Sequence, residues 1–151
     1  MSAVDAKQTD VSPSVRPILK QTSRVLEVAA ASSAAALEHF EKRLTFETDC
    51  SDVYASQVSD RVDFVLVDVR GRELYKKGHV PGAINIPVLT ITKERLEEYP
   101  QETAFVVYCA GPHCNGANKA AVRLSGMGRP VKEMIGGTTG WIDEGFNLNE
   151  G

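Results

Sequence analysis

Cys109 and Cys114 lie five positions apart in the segment Cys109-Ala-Gly-Pro-His-Cys-Asn-Gly116. A thiolate is the nucleophilic form of cysteine, and its reactivity depends on what surrounds it. Here the surroundings are small or turn-forming: Ala110, Gly111, Pro112, Asn115 and Gly116. Such a composition lets a backbone curl tightly and aim several N–H groups inward as an anion-binding nest. A helix expected to start near Ala117 adds the positive end of its dipole. Both features favour a thiolate, a persulfide or an anionic sulfur donor at Cys109, with Ala110–Ala117 as the cradle. Against this stands the inert reading, in which a cysteine ending a strand is a small hydrophobe. The glycine-bearing loop and the helix start favour the reactive one. Cys114 either resolves an oxidised or persulfidated Cys109 as a disulfide or packs under the loop without meeting it.

Other residues that could take part have plainer readings beside them. Asp68 and Arg70 end a strand on the side of Cys109, where they would support the cradle or pair with each other or with Glu73 as scaffold. His79 is a general base or, as a lone histidine before Val-Pro-Gly, the residue that orders a turn. Lys119 and Arg123 are four apart and share a helix face, where they would draw in an anion or be merely solvated. Trp141, after two glycines, is expected in the core or as a lid, and Cys50 is expected to be packing.

These side chains need a scaffold. Phe64-Val-Leu-Val-Asp68 and Phe105-Val-Val-Tyr108 are continuous apolar runs, as in strands buried on both faces, and Val131–Ile135 is a weaker third. Thr45–Thr48 reads as a short strand, followed by a helix capped by Asp49 or Ser51 and ending near Gln57. Thr92–Tyr99 and Ala117–Ser125 read as helices. Strands alternating with helices imply an α/β fold with a parallel sheet and right-handed crossovers. In such sheets ligands collect at the carboxyl ends of the strands, which is where Cys109 falls. Upstream, residues 1–13 read as a disordered lead-in and 14–43 as a helical extension. Leu26, Ala30, Ser33, Leu37, Phe40 and Leu44 mark one face of an amphipathic helix. That helix is expected to dock on its own domain, with pairing between two copies as the alternative.

Bulk properties remove several classes. The 151 residues carry a net charge of −3, with 42% hydrophobic and 25% charged residues. This is an ordinary soluble composition with no basic footprint for nucleic acid or a membrane surface. The start has neither a basic n-region nor an apolar h-region, so a cytoplasmic location is expected. Three cysteines make a poor disulfide framework, and no second ligand pair answers Cys109, His113 and Cys114, so neither a metal nor a cofactor is expected.

Four ordered segments resemble the rhodanese-like superfamily. Val67-Asp-Val-Arg70 is similar to its Asp-x-Arg strand end. Gly78-His-Val-Pro-Gly-Ala-Ile-Asn-Ile-Pro87 is similar to its His-Ile-Pro-Gly-Ala segment. Val106-Val-Tyr-Cys109 resembles the strand leading to the catalytic cysteine, and Gly136-Gly-Thr-Thr-Gly-Trp141 its closing Gly-Gly-x-x-x-Trp turn. The resemblance covers the chain from about Leu44 to its end. It implies a central five-stranded parallel sheet flanked by helices over 44–151. It also implies a nucleophile at Cys109 that takes sulfane sulfur from a small donor or a protein persulfide and passes it to an acceptor.

The cradle departs from the family pattern. It carries no Arg or Lys, with His113 as its nearest substitute, so thiosulfate is expected to be a poor donor. It is also one residue longer, like the loop of related Cys-x5-Arg phosphatases. Asn115 stands where their Arg would be, and a neutral amide cannot replace that bidentate cation, so phosphatase activity is disfavoured. The leading expectation is a sulfurtransferase working through a Cys109 persulfide. A redox or sulfur sensor using Cys109 and Cys114, and a non-catalytic binding module, are the alternatives.

Overall fold

Phe64–Asp68 and Ala104–Tyr108, the two strongest apolar runs, lie side by side as parallel strands β2 and β4. The computed structural model describes residues 21–151. The remaining strands are β1 (Glu47–Asp49), β3 (Ile84–Asn85) and β5 (Val131–Ile135), and the five form one sheet in the order β1-β5-β4-β2-β3. Every neighbouring pair is parallel. Among the described residues the α-helices are α1 (Ser33–Phe46), α2 (Cys50–Val58), α3 (Arg72–Lys77), α4 (Lys93–Leu96), α5 (Gly116–Gly126) and α6 (Gly137–Asp143).

The alternation of the strands explains why both faces are covered. Successive side chains point to opposite faces. Val67, Phe105 and Val107 therefore pack with Leu96, Ala117, Ala120 and Leu124 from α4 and α5. Leu66, Val106 and Tyr108 pack with Val53 and Trp141 from α2 and α6. Emptying one such site, as in Phe105→Ala, costs about 3–5 kcal/mol through lost transfer energy and the cavity left behind. β4 is the central strand, so the residue that follows it emerges in the middle of the sheet's carboxyl edge.

Several boundaries differ from the sequence expectation. β1 begins at Glu47 rather than Thr45 because α1 runs through Phe46. α2 is capped as expected, the Asp49 side chain accepting from the Asp52 N–H at 2.8 Å. α4 stops at Leu96, three residues short of Tyr99. Pro100 disfavours helix at the residue before it, and the buried guanidinium of Arg129 takes the carbonyls of Leu96 and Tyr99 at 2.8 and 3.0 Å. α3 is only six residues long, too short for a periodic signal. The Gly136–Trp141 segment, expected as a turn, instead opens helix α6.

The chain divides into two units, 1–36 and 37–151. In the first, Ser32 accepts from the Ala35 N–H and caps α1, so Leu26 and Ala30 precede the helix instead of lying on its face. Leu26 instead ends a 3-10 turn, Arg24–Leu26. The expected lead-in, residues 1–13, lies outside the described residues. In the second unit, Leu37, Phe40 and Leu44 are 60%, 56% and 69% exposed, which corrects the expectation that this face docks on its own domain. Among the described residues no helix is long and apolar enough to cross a membrane.

Candidate active site

Cys109 directly follows β4 and is 8% exposed. Its partner question is answered by the loop itself: Cys109 and Cys114 are joined as a disulfide, with their α-carbons 6.3 Å apart. The turn that brings them together is closed by the Cys114 N–H donating to the Gly111 carbonyl at 3.0 Å. That donor is consumed by the turn, so Cys114 contributes its sulfur and not its N–H to the cradle.

Both sulfurs sit at the start of α5. Asn115, at the N-cap, makes no side-chain capping bond, so the helix's first donors are left for other acceptors. Gly116 N–H donates to Cys114 Sγ at 3.4 Å. A Cβ on Gly116 would stand 2.9 Å from Cys109 Sγ and 3.4 Å from Cys114 Sγ. Only a residue without a side chain lets both sulfurs rest against this helix end, where the backbone dipoles favour negative charge.

The other side of the loop is held by α6, a brace the sequence reading missed. Thr138 N–H donates to the Cys109 carbonyl at 3.2 Å, and Thr139 N–H to the Ala110 carbonyl at 2.9 Å. The hydroxyls of Thr138 and Thr139 also donate to the Ala110 carbonyl, at 2.9 and 3.0 Å. The Gly136-Gly-Thr-Thr segment is thus the clamp on the first two residues of the loop. Its signal was present in the motif, but paired glycines read more readily as a turn than as the start of a helix.

Asp68, Arg70 and Tyr108 form a buried network beneath the site. Arg70 grips the Asp68 carboxylate with its Nε and Nη2, at 3.0 and 2.7 Å, and donates to the Gly78 carbonyl at 2.6 Å. The Tyr108 hydroxyl donates to Asp68 at 2.9 Å and accepts from the Val80 N–H at 3.0 Å. Burial and the Asp68 carboxylate push the Tyr108 phenol up from its ordinary range. None of these bonds reaches Ala110–Ala117. Asp68 and Arg70 therefore act as scaffold, fixing Tyr108 and with it the exit of β4 into Cys109.

A groove of about 870 Å³ opens beside the disulfide, lined by Cys109, His113 and Cys114 on one side and by β1, β5 and the start of α6 on the other. Its wall is acidic: Glu47, Asp49, Glu133 and Glu144 all line it. Arg43 lines it too and is paired with Glu47 at 2.8 Å. Glu47 and Glu133 are cross-strand partners. Partial burial, and then the Glu47 charge, hold the Glu133 carboxyl above its usual range. Cys50 also lines the groove. Its thiol lies 3.6 Å from the carbonyls of Ile135 and Gly137. Burial, then Asp49 and Glu144, push it up to about 11, so it stays protonated at neutral pH.

The family model of the rhodanese-like domain matches residues 51–144. The chain belongs to the rhodanese-like domain family. The rhodanese-like chain is 39% identical over 89 residues to the HTH-type transcriptional regulator Rv0324 of Mycobacterium tuberculosis, a match covering 59% of this chain and 39% of that protein. It is 28% identical over 98 residues to a sulfurtransferase of Allochromatium vinosum, covering 65% of this chain and 90% of that protein. The crystal structure of the BH2092 protein from Bacillus halodurans superposes with a TM-score of 0.75 at 37% identity, over 78% of this chain and 85% of that one. The chain thus spans about two fifths of the mycobacterial regulator it matches.

Within this rhodanese-like fold the remaining candidates fall into place. His79 stacks on Tyr75 with ring centroids 3.8 Å apart, and its Nδ1 lies 2.9 Å from the Tyr75 carbonyl. It orders the turn and lies outside the groove lining. Trp141 is buried and donates to the Asn147 carbonyl at 3.0 Å, which makes it core. Lys119 is exposed and is not among the groove-lining residues. Arg123 points a guanidinium N–H at the Ile91 carbonyl, at 3.5 Å.

Proposed function

We propose that this rhodanese-like domain is a sulfurtransferase that carries sulfane sulfur as a persulfide on Cys109. The observation that carries the reading is the position of Cys109 at the exit of the central strand, against the unobstructed start of α5 and beside an open groove. A sulfur added to that thiol would place negative charge where the helix end favours it. The donor is a low-molecular-weight or protein persulfide rather than thiosulfate, because the cradle holds no Arg or Lys and the groove wall is acidic. The setting is the cytoplasm, where thiol reductants keep such a pair available as thiols.

The test is intact mass after incubation of the reduced chain with thiosulfate, and separately with glutathione persulfide, followed by cyanide-dependent thiocyanate release. Gain of one sulfur by Cys114→Ser, where no second thiol can displace it, and none by Cys109→Ser supports the reading. No gain by Cys114→Ser from either donor sinks it.

The Cys109–Cys114 bond favours a second reading, a thiol sensor that reports oxidants by closing this disulfide. It gains the field if peroxide closes the bond in the reduced chain while neither sulfur donor modifies it.

A further inference from the structure

We propose that Cys114 is the resolving nucleophile of a sulfide-releasing cycle, so that the reductant of the bound sulfane sulfur is this chain's own second thiol. The inference rests on reading Cys109 as the sulfur-accepting residue and adds what happens next.

In the first step the Cys109 thiolate attacks the terminal sulfur of a donor R–S–SH. The donor's S–S bond breaks, R–S⁻ leaves, and Cys109 becomes Cys109–S–SH. In the second step the Cys114 thiolate attacks Cys109 Sγ, the inner sulfur. The Cys109–Cys114 bond forms, the persulfide bond breaks, and HS⁻ leaves. Two thiols are oxidised to a disulfide while the sulfane sulfur is reduced to sulfide. An external dithiol then restores both thiols and becomes a disulfide itself.

Three features select this route. The loop already allows Cys114 Sγ to bond to Cys109 Sγ, so the inner sulfur is the atom that Cys114 reaches. An intrachain thiol held there outcompetes thiols arriving from solution, since the encounter is effectively unimolecular. Cys114 Sγ accepts from the Gly116 N–H at 3.4 Å, and the bare Gly116 α-carbon leaves space for both sulfurs at the helix end. A thiolate attacking at Cys114 is thus supported by the same helix end as the persulfide it resolves. The leaving HS⁻ enters a groove lined by Glu47, Asp49, Glu133 and Glu144, whose charge drives it outward.

The full chain is reduced, freed of reductant and mixed with glutathione persulfide. Sulfide and intact mass are followed through one turnover, with Cys109→Ser setting the background. The wild type is expected to release one equivalent of sulfide and end as the disulfide, at a rate at least about tenfold above Cys114→Ser. Cys114→Ser and Cys114→Ala should retain one added sulfur over that single turnover. Far-UV circular dichroism confirms that both variants fold. If the wild type holds its added sulfur as long as the variants do, the resolving role is overturned while the persulfide reading stands. If the folded Cys114 variants take up no sulfur, the persulfide reading itself falls, and this inference with it.

Discussion

The α-carbon of Gly137 lies so close to the Cys109 carbonyl oxygen that a Cβ atom there would overlap it. Gly137 also has φ of +55°, a conformation that favours glycine. Gly137→Ala is therefore expected to lower stability by at least about 2 kcal/mol, from backbone strain together with the collision. Chemical denaturation measures the loss. If the variant is as stable as the wild type, α6 is not the rigid clamp on the loop described above.

Tyr108→Phe removes the hydroxyl that joins Asp68 to the Val80 N–H. The expected cost is about 1–3 kcal/mol, because two buried groups lose a partner. Asp68→Ala should cost more, about 3–5 kcal/mol, since it leaves the Arg70 guanidinium buried without its counter-ion. A double-mutant cycle should show the two changes coupled, as members of one network. Additive effects would mean that Tyr108 and Asp68 act separately.

The central strands were legible because each is a continuous apolar run, and the loop because its composition changes abruptly at Cys109. β3 was not legible from periodicity, since two residues carry no pattern, and the five-strand count came from the family resemblance. Thr138 and Thr139 escaped notice because their work is done by backbone N–H groups and hydroxyls on another segment's carbonyls. The Cys109–Cys114 pairing was undecided because a turn of four intervening residues permits or forbids it according to its dihedrals. Cys50 was read as plain packing. It is indeed buried, but its thiol also touches the Gly137 carbonyl and lines the groove of Cys109, a relation that only the tertiary fold creates.

Cys50 gives the fold a specific alkaline weakness. Its thiol is raised from 9.0 to about 11 in the folded chain, chiefly by burial. Between those values the folded state keeps a proton that the unfolded state has lost. Stability is therefore full below pH 9 and falls as pH rises toward 11. The fall attributable to this thiol amounts to about 2–3 kcal/mol. Urea midpoints measured from pH 8 upward should show the decline in the wild type and a shallower one in Cys50→Ala. Parallel curves would assign the weakness elsewhere.

The groove's charge sets an order among donors. Thiosulfate, a dianion, meets Glu47, Asp49, Glu133 and Glu144, whereas a singly charged alkyl persulfide feels a weaker repulsion. Glu133→Gln is expected to raise kcat/KM for thiosulfate by about threefold to tenfold at low salt and that for a singly charged alkyl persulfide by a smaller factor. The gain should shrink as ionic strength rises. An equal gain for both donors would show that Glu133 acts through shape rather than charge.

The clamp formed by Thr138 and Thr139 comes 28 and 29 positions after Ala110, whose carbonyl both hydroxyls bind. During synthesis the chain emerges from its N-terminal end. Cys109 and Cys114 therefore both leave the ribosome before the residues that brace their loop follow them out. In that interval the two thiols meet by chain proximity alone, without the geometry that makes their chemistry selective. Nascent chains of this protein should then depend on a reducing environment most acutely in the short interval before α6 docks.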